Sequence, residues 1–198
     1  IDVLASDTMS ISDYLQARWI WDEFDNMNDW VVETGVWSAD GVLHQTQTTT
    51  GGKWLKWAHG HLVSYIFEMK GKLIADYDGV WGNRFRRVDA NNMYETECVY
   101  YAGGNKGVQY YRCVGGTWAQ MAYVAKTVTY NTYYKLKTDQ RNEGTGLRVK
   151  VWFESETNPC INHLEDPRSH NDGDFLMFHA VQEAGSKADF DYCYMWTE

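Results

Sequence analysis

Runs in which apolar and polar residues alternate recur along nearly the whole chain, and turns rich in Gly, Asn and Asp separate them. Alternation with a period of two, in segments rich in aromatic and β-branched residues, predicts half-buried strands. Only segment 10–18 has a helical pattern, with Ser12 as its N-cap residue. The predicted strands lie near 30–33, 42–48, 53–58, 62–70, 78–88, 92–101, 108–114, 117–123, 132–138, 147–154, 175–182 and 188–196.

So many strands in a chain of 198 residues imply two packed sheets, because each sheet must cover the apolar face of the other. No repeat or linker interrupts the pattern, and the longest irregular stretch is 155–173, which holds both prolines. We therefore predict an all-β fold, a two-sheet antiparallel jelly-roll sandwich over residues 21–198, preceded by a short N-terminal arm or helix at 1–20.

Composition narrows the classes of function. Aromatic residues make up 16% of the chain, including ten Trp and fourteen Tyr, and the net charge is −9. Nucleic acid is bound through Lys and Arg, so the acidic balance argues against such a partner. The chain contains no run of about 18 apolar residues, the length that a membrane-spanning helix requires. Because the chain begins at Ile1 without an initiator Met, we expect that a leader was removed, the alternative being a fragment.

The stretch ECVYYAGGNKGVQYYRC at 97–113 places two cysteines around a glycine-rich centre. With Asn105 and Lys106 at the tip of a hairpin, Cys98 lies opposite Cys113, at a separation that suits a disulfide. The spacing is not that of a zinc site. The alternative is a pair of buried free thiols.

The other two cysteines are Cys160, in the irregular stretch, and Cys193, in the last predicted strand. We expect a second bridge between them, although four cysteines allow three pairings. Disulfides form in oxidising compartments, so the cysteine pattern predicts an extracellular, secreted protein.

Four segments carry a family resemblance: WDEFDNMNDWVVETGVWSADGVLHQT (21–46), GVWGNRFRRVDANNMYETECVYY (79–101), YYKLKTDQRNEGTGLRVKVWFE (133–154) and GSKADFDYCYMWTE (185–198). They resemble the opening, central and closing strands of the concanavalin A-like (laminin G-like) jelly-roll superfamily. That superfamily includes carbohydrate-binding modules, lectins, glycoside hydrolases and polysaccharide lyases. Each segment is a loose fold signature, so the resemblance indicates the fold better than the function.

The resemblance also implies a structural Ca²⁺ between the first and last strands, held by Asp25 and Asp191 with a backbone carbonyl near Asp40. Each of the two Asp follows a Phe that is expected to pack inward. On neighbouring strands their carboxylates would repel each other unless a cation lay between them. The alternative is two solvated carboxylates at strand ends.

Catalysis has weaker support in the sequence. The retaining glucanases of the superfamily carry Glu-x-Asp-x-x-Glu on one strand, whereas EFDNMN at 23–28 ends in Asn. A polysaccharide lyase acting on uronate-containing glycans needs a cation and a base. Arg84 and Arg86, expected on one face of a strand, with Tyr94 as the base, are the candidates.

Aromatic residues exceed what one core of this size needs. In the last strand, strict alternation places Phe190 on the same face as the aromatic residues that follow it. Exposed rings can stack on sugars or form a protein interface, while the alternative is that loops cover them. The candidate residues for a glycan or partner are Trp54, Trp57, Tyr100, Tyr111, Tyr192, Tyr194 and Trp196.

The sequence therefore predicts a secreted, non-catalytic β-sandwich protein. It binds glycans or serves as a subunit of an extracellular assembly, such as a filament or surface layer, and a polysaccharide lyase is the alternative. Partners are a glycan or neighbouring copies of the chain, in the second case contacted through residues 1–20.

Overall fold

Strands account for all the regular structure of the part of the chain that the computed structural model describes, residues 19–49, 51–58, 64–74, 78–170, 177–180 and 185–196. They form two sheets, and neighbouring strands run antiparallel throughout. The predicted all-β sandwich is confirmed. Across the described ranges there is no helix long and apolar enough to cross a membrane.

The larger sheet, called sheet A here, is formed by β1 (Trp19–Asp22), β3 (Trp37–Ala39), β4 (Leu43–Gln45), β6 (Tyr65–Ile74), β11 (Tyr134–Glu143), β12 (Gly146–Phe153), β13 (Ile161–Glu165) and β15 (Lys187–Trp196). Their order is β13-β12-β11-β6-β15-β4-β3. Strand β1 also pairs with β15, beyond the residues that pair with β4.

Sheet B is formed by β2 (Trp30–Thr34), β5 (Lys53–Trp57), β7 (Gly79–Asp89), β8 (Asn92–Tyr100), β9 (Lys106–Val114), β10 (Thr117–Ala125) and β14 (Met177–Ala180). Their order is β10-β9-β8-β7-β14-β5-β2. The hairpins from β7 to β10 follow one another along the chain, and they form the half of this sheet that carries the candidate site.

The hydrophobic core lies between the sheets and is aromatic at its centre. Trp81 of β7 meets Phe190 of β15 edge-on at 6.0 Å, and both are fully buried. Gly71 of β6 permits this contact, because a Cβ there would lie 2.9 Å from Phe190 and 3.0 Å from Trp81. Aromatic rings therefore join the two sheets, as the alternating pattern predicts for inward positions.

One end of the interior is polar. The Tyr94 hydroxyl donates to the Glu165 carboxylate, which also accepts from Arg112 at 2.6 Å and from Ser169 at 2.7 Å. Desolvation and the bond to Glu165 raise the pKa of Tyr94 to about 12. Burial opposes the charge on Glu165, yet these hydrogen bonds outweigh it and lower the pKa of that carboxyl. The network ties β8 to the segment that follows β13.

Most predicted strands are present, and three strands were missed. β1, β3 and β13 are short, and β13 lies inside the stretch predicted to be irregular. The predicted helix at 10–18 and most of the predicted arm fall outside the described residues. Residues 19 and 20 of the arm belong to β1, which pairs with β15 of the same chain.

The predicted register of the β8–β9 hairpin is wrong. Tyr100 lies opposite Lys106, so the loop spans residues 101–105 rather than a two-residue tip. Cys98 therefore faces Val108, and Cys113 lies five positions further along β9. At about 3.3 Å per residue this separates the cysteines by about 16 Å, well beyond the reach of a disulfide.

All four cysteines are free thiols, so the predicted 98–113 and 160–193 bridges are both wrong. Cys98 and Cys193 are buried in the core, where desolvation strongly raises the pKa of each thiol. Burial likewise raises the pKa of Cys160 to about 11, and its thiol contacts the Val151 carbonyl oxygen at 3.3 Å. The cysteines are therefore free thiols, as in the alternative interpretation. Without disulfides, the cysteine pattern no longer supports the prediction that the protein is secreted into an oxidising compartment.

Candidate functional site

The outer face of sheet B carries a half-open cavity of about 300 Å³. Strands β8, β9 and β10 and the loop between β8 and β9 supply its walls. The residues that line it are Glu95, Glu97, Tyr101, Gln109, Tyr111 and Trp118. Carboxylates, an amide and aromatic rings thus share one cavity.

Strand alternation explains why these side chains converge. Tyr94 and Cys98 of β8 point into the core, so Glu95 and Glu97 point to the outer face. In the register, Glu97 lies opposite Gln109 and Glu95 lies opposite Tyr111. The correct hairpin pairing therefore creates the site.

The two carboxylates and the amide form the floor of the cavity. Glu95, Glu97 and Gln109 are only 2%, 1% and 3% exposed, although they lie on the outer face. Trp118 is 42% exposed and forms part of the rim. Its ring meets the ring of Tyr111 edge-on at 6.4 Å. A ligand would therefore meet a polar floor and an aromatic wall.

A chain of hydrogen bonds fixes the floor. The Gln109 amide donates to the Glu97 carboxylate at 2.6 Å. Gln120 of β10 donates to the Gln109 carbonyl oxygen and to the Tyr111 hydroxyl oxygen, both at 3.1 Å. Desolvation, and then the nearby charges of Glu97 and Glu95, raise the pKa of Tyr111. The Tyr111 hydroxyl therefore remains a hydrogen-bond donor across the physiological range.

Arg84 holds the second carboxylate in place. Its Nε donates to Glu95 at 2.5 Å in an ion pair that is almost fully buried. The guanidinium lies 4.6 Å from the Trp54 ring centroid and 5.3 Å from the Trp118 centroid. Because an arginine between two indoles is packed on both sides, it orients the rim tryptophan as well as Glu95.

The structure divides the predicted aromatic residues among three environments. Trp54 and Tyr111 lie on the outer face of sheet B, at the site. Trp57 and Tyr100 point inward: Trp57 is buried and packs on Trp30 at 5.0 Å, and Tyr100 packs, partly buried, against the core. The predicted tip at Asn105 and Lys106 would place Tyr100 opposite Tyr111, on one face of the hairpin. That expectation is wrong, because the observed register differs by an odd number of residues and places the two rings on opposite faces.

Tyr192, Tyr194 and Trp196 lie on the outer face of sheet A, far from the cavity in the fold. A bulge at Asp191 lets Phe190 enter the core while Tyr192 points outward. The prediction that Phe190 shares their face is therefore wrong.

Sequence reasoning missed most of the residues that line the cavity: Glu95, Glu97, Tyr101, Gln109 and Trp118. The signal in the sequence was the alternation in YETECVY at 94–100, which places two glutamates on one face of a strand. Strand alternation alone could have paired the two glutamates, but only the true register brings Gln109 and Tyr111 beside them.

The candidate lyase residues do not form one site. Arg84 lies on the outer face of sheet B. The left-handed backbone of Arg86, with φ of 49°, turns its side chain inward, where it donates to Gln140 at 2.7 Å. Tyr94 is also buried, and its hydroxyl donates to Glu165. The expectation that Arg84 and Arg86 share a face is wrong because of this irregularity in β7.

The predicted calcium ligands differ in their surroundings. The Asp191 carboxylate forms an ion pair with Lys70 at 2.6 Å. Asp25 is exposed, and both Asp25 and Asp29 lie near Asp22. Among the described residues, no three His, Cys, Asp or Glu side chains form a group that could hold a metal. With its carboxylate already paired to Lys70, Asp191 does not fit a Ca²⁺ site shared with Asp25.

Comparisons with known proteins show the fold. No family model matches the chain, and no curated protein matches it in sequence. Among solved structures, carbohydrate-binding module CBM66 of Bacillus subtilis matches 82% of this chain and 92% of its own, with 19% identity and a TM-score of 0.63. The chain has a concanavalin A-like jelly-roll fold.

Two further structures have the same jelly-roll fold. The exoplasmic/lumenal domain of VIP36 in its Ca²⁺-bound form matches 92% of this chain and 91% of its own, with 7% identity and a TM-score of 0.68. A xylan β-1,4-xylosidase of Bacillus halodurans matches with 13% identity and a TM-score of 0.63, over 89% of this chain and 39% of that enzyme. The jelly roll thus spans about two fifths of the enzyme's length.

Proposed function

We propose that this jelly roll is a non-catalytic glycan-binding domain and that the cavity on the outer face of sheet B is its binding site. One observation carries the proposal: two fixed carboxylates and an amide form the floor of a cavity with aromatic walls. Carboxylates accept hydrogen bonds from sugar hydroxyls, amides both accept and donate them, and Tyr and Trp rings pack on the apolar face of a sugar ring. The presence of a carbohydrate-binding module among the structural neighbours supports the proposal.

The size and charge of the cavity indicate the class of ligand. A volume of about 300 Å³ is at the lower end of the range for ligand pockets, which suits one or two sugar rings. Among the described residues of the site, Glu95 and Glu97 carry two negative charges and Arg84 one positive charge, so these three groups together are negatively charged. We infer that it prefers neutral or amino sugars and disfavours uronates.

Binding without catalysis is supported by the way both carboxylates are held. Glu95 is bound by Arg84 and Glu97 by Gln109. A lyase would need its cation and its base to face one substrate, whereas Arg84 and Tyr94 lie on opposite faces of sheet B. The proposal does not require secretion or calcium, and secretion remains a prediction.

A screen against a glycan array, followed by calorimetric titration, tests the proposal. The wild-type chain should bind neutral or amino sugars, and Trp118→Ala should weaken the affinity at least about tenfold by removing the stacking ring. Leu164→Ala is a matched control, because Leu164 is an apolar residue of sheet A that is 39% exposed, close to the 42% of Trp118. Equal losses in both variants, or no bound glycan at all, would refute the proposal.

Self-assembly is a second candidate, favoured by the edge of sheet B. β2 is the last strand in the order of that sheet, and no described strand covers its outer edge. Val31 and Val32 on this strand are 47% and 45% exposed. Open edges with apolar side chains accept strands from other chains. Light scattering of the wild-type chain and of Val31→Lys tests this candidate. A molar mass that rises with concentration in the wild-type chain but not in the variant would support assembly. A monomeric mass for both proteins at every concentration would refute it.

A further inference from the structure

Five residues form a continuous row across the outer face of sheet A, which we call the sheet A row. They come from five neighbouring strands, and each lies opposite the next in the register. In order across β1, β15, β6, β11 and β12 they are Trp21, Tyr194, Glu68, Lys137 and Trp152. Strands are spaced about 4.8 Å apart, so four steps give a row about 19 Å long. That length accommodates several sugar rings in an extended chain.

Aromatic rings stand at both ends of the row. Trp21 is 55% exposed, and its ring lies nearly parallel to that of Tyr192 at 5.1 Å, with 13° between the planes. Tyr194 supports it edge-on at 5.5 Å. At the other end, the Lys137 ammonium lies 4.2 Å from the Trp152 ring centroid. Neighbouring side chains therefore fix both tryptophans.

Lysines flank the row on outward positions of β6, β11 and β12. Lys135 lies opposite Lys70, and this pair is two residues along the strands from the pair of Lys137 and Glu68. Lys70 has an ion pair with Asp191, whereas within the described ranges no ion pair forms for Lys135, Lys137 or Lys150. Glu68 lies opposite Lys137 and Asp139 lies opposite Lys150 in the register. The outward lysines of β6, β11 and β12 still outnumber the outward carboxylates of these strands, in a chain with a net charge of −9.

We propose that the sheet A row is a second binding surface, for an anionic polysaccharide that carries carboxylate or sulfate groups. The polysaccharide lies across the strands. Its sugar rings stack on Trp21 and Trp152, and its acidic groups lie at Lys135 and Lys137. Flat aromatic ends favour a pyranose chain, and the lysines supply the complementary charge. The proposal stands independently of the cavity on sheet B, whose floor is acidic and which lies on the other sheet.

Affinity electrophoresis and calorimetry with two probes test the proposal. Polygalacturonate carries carboxylates and dextran sulfate carries sulfates, so the probe that binds with the higher affinity identifies the preferred acidic group. The wild-type chain should bind at least one of them, with an affinity that falls as salt is raised. The double variant Lys135→Glu/Lys137→Glu should lose at least about tenfold in affinity, and Trp21→Ala and Trp152→Ala several-fold each.

Matched controls separate this surface from the rest of the molecule. Lys106→Glu makes on sheet B the charge change of one of the two substitutions in the double variant, and it should leave the affinity for the anionic probes within about twofold. Trp118→Ala alters the cavity and should also leave it unchanged, so failure of the cavity proposal is distinguishable from failure of this one. Circular dichroism confirms that each variant folds.

Three outcomes would overturn the proposal. The first is absence of binding to both anionic polysaccharides at low salt. The second is equal binding of polyglutamate or single-stranded DNA, which would show that charge alone is recognised. The third is a loss of affinity in Lys106→Glu as large as that in the double variant.

Discussion

The Gln109 side chain donates a 2.6 Å hydrogen bond to the Glu97 carboxylate across the β8–β9 pair, and both are almost completely buried in the floor of the cavity. The bond exists because the register places these residues opposite each other on the outer face of sheet B. Gln120 holds the same amide from the next strand at 3.1 Å. The acceptor atoms that a sugar would meet are therefore fixed before it binds, which lowers the entropic cost of binding.

Glu97→Gln tests the role of the charge in the floor. The variant keeps the shape of the side chain but replaces a charged acceptor by an amide, so we expect a loss of about tenfold in glycan affinity with the fold retained. Calorimetric titration with a glycan identified on the array measures it. Glu143→Gln, an exposed carboxylate of sheet A that pairs with Arg148, is the control and should bind as the wild type does. An unchanged affinity in Glu97→Gln would contradict the assignment of the floor.

The free cysteines predict the thiol chemistry of the chain. When the chain is unfolded in guanidinium without a reductant, all four of its thiols should react with a disulfide reagent, since none is bridged. In the folded state Cys98 and Cys193 should react very slowly, because they are buried and their thiol pKa values are raised. Reductant should leave the melting temperature unchanged. If only two thiols, or none, reacted in the unfolded chain, the chain would contain one or two disulfides and the assignment of four free thiols would be wrong.

His44 predicts a pH-dependent contribution to stability. Burial opposes its charge, but hydrogen bonds to Asp189 at 2.7 Å and to Asp40 at 3.0 Å outweigh burial and raise its pKa. Its stabilisation is therefore fully present below its unfolded pKa of about 6.5 and is lost as the pH rises through the folded value. His44→Gln should destabilise the chain more at pH 5.5 than at pH 8, by up to about 1 kcal/mol for this partly exposed site.

His163 supplies the control for that titration. Desolvation lowers the pKa of His163, so protonation disfavours the folded state below a pH of about 6.5. His163→Gln should therefore show the opposite trend, with stability relative to the wild type increasing as the pH falls. Urea unfolding at the two pH values measures both variants. The same pH trend in both would show that the neighbours of His44 do not govern its titration.

The Asp191–Lys70 ion pair bears on the calcium prediction. Because Asp191 is paired with Lys70 at 2.6 Å, we expect neither calcium nor EDTA to shift the melting temperature. A site filled at a hundred times its dissociation constant would add about 2.7 kcal/mol, which is readily measured. Differential scanning calorimetry in both conditions decides the matter. A rise in melting temperature with calcium that Asp191→Asn abolishes would instead establish the site.

Alternation along the chain predicted the strands well, because inward positions such as those of Trp81 and Phe67 must be apolar to bury the core. It could not predict local irregularities. The bulge at Asp191 and the left-handed backbone of Arg86 each reverse the face of the residues near them. At each position the side chain contacts a residue distant in sequence, Lys70 for Asp191 and Gln140 for Arg86, which the alternation of the strand itself does not encode.

The hairpin shows why the site was harder to predict than the fold. A two-residue tip and the observed loop at 101–105 are both compatible with the glycines of GGNKG, and the choice between them moves every pairing in β9. The symmetric placement of the cysteines favoured the wrong register. The observed one instead brings Gln109 and Tyr111 beside the two glutamates, and the cavity results from that pairing.

The most direct test of glycan binding on sheet B is an NMR titration of the ¹⁵N-labelled chain with a glycan identified on the array. Its readout is the set of indole and side-chain amide signals, assigned with Trp118→Phe and Gln109→Leu. The account predicts that the Trp118 indole and the Gln109 amide shift most and saturate with the calorimetric affinity, while the Trp152 indole on sheet A stays in place. Saturable shifts confined to sheet A, with Trp118 and Gln109 unmoved, would contradict it.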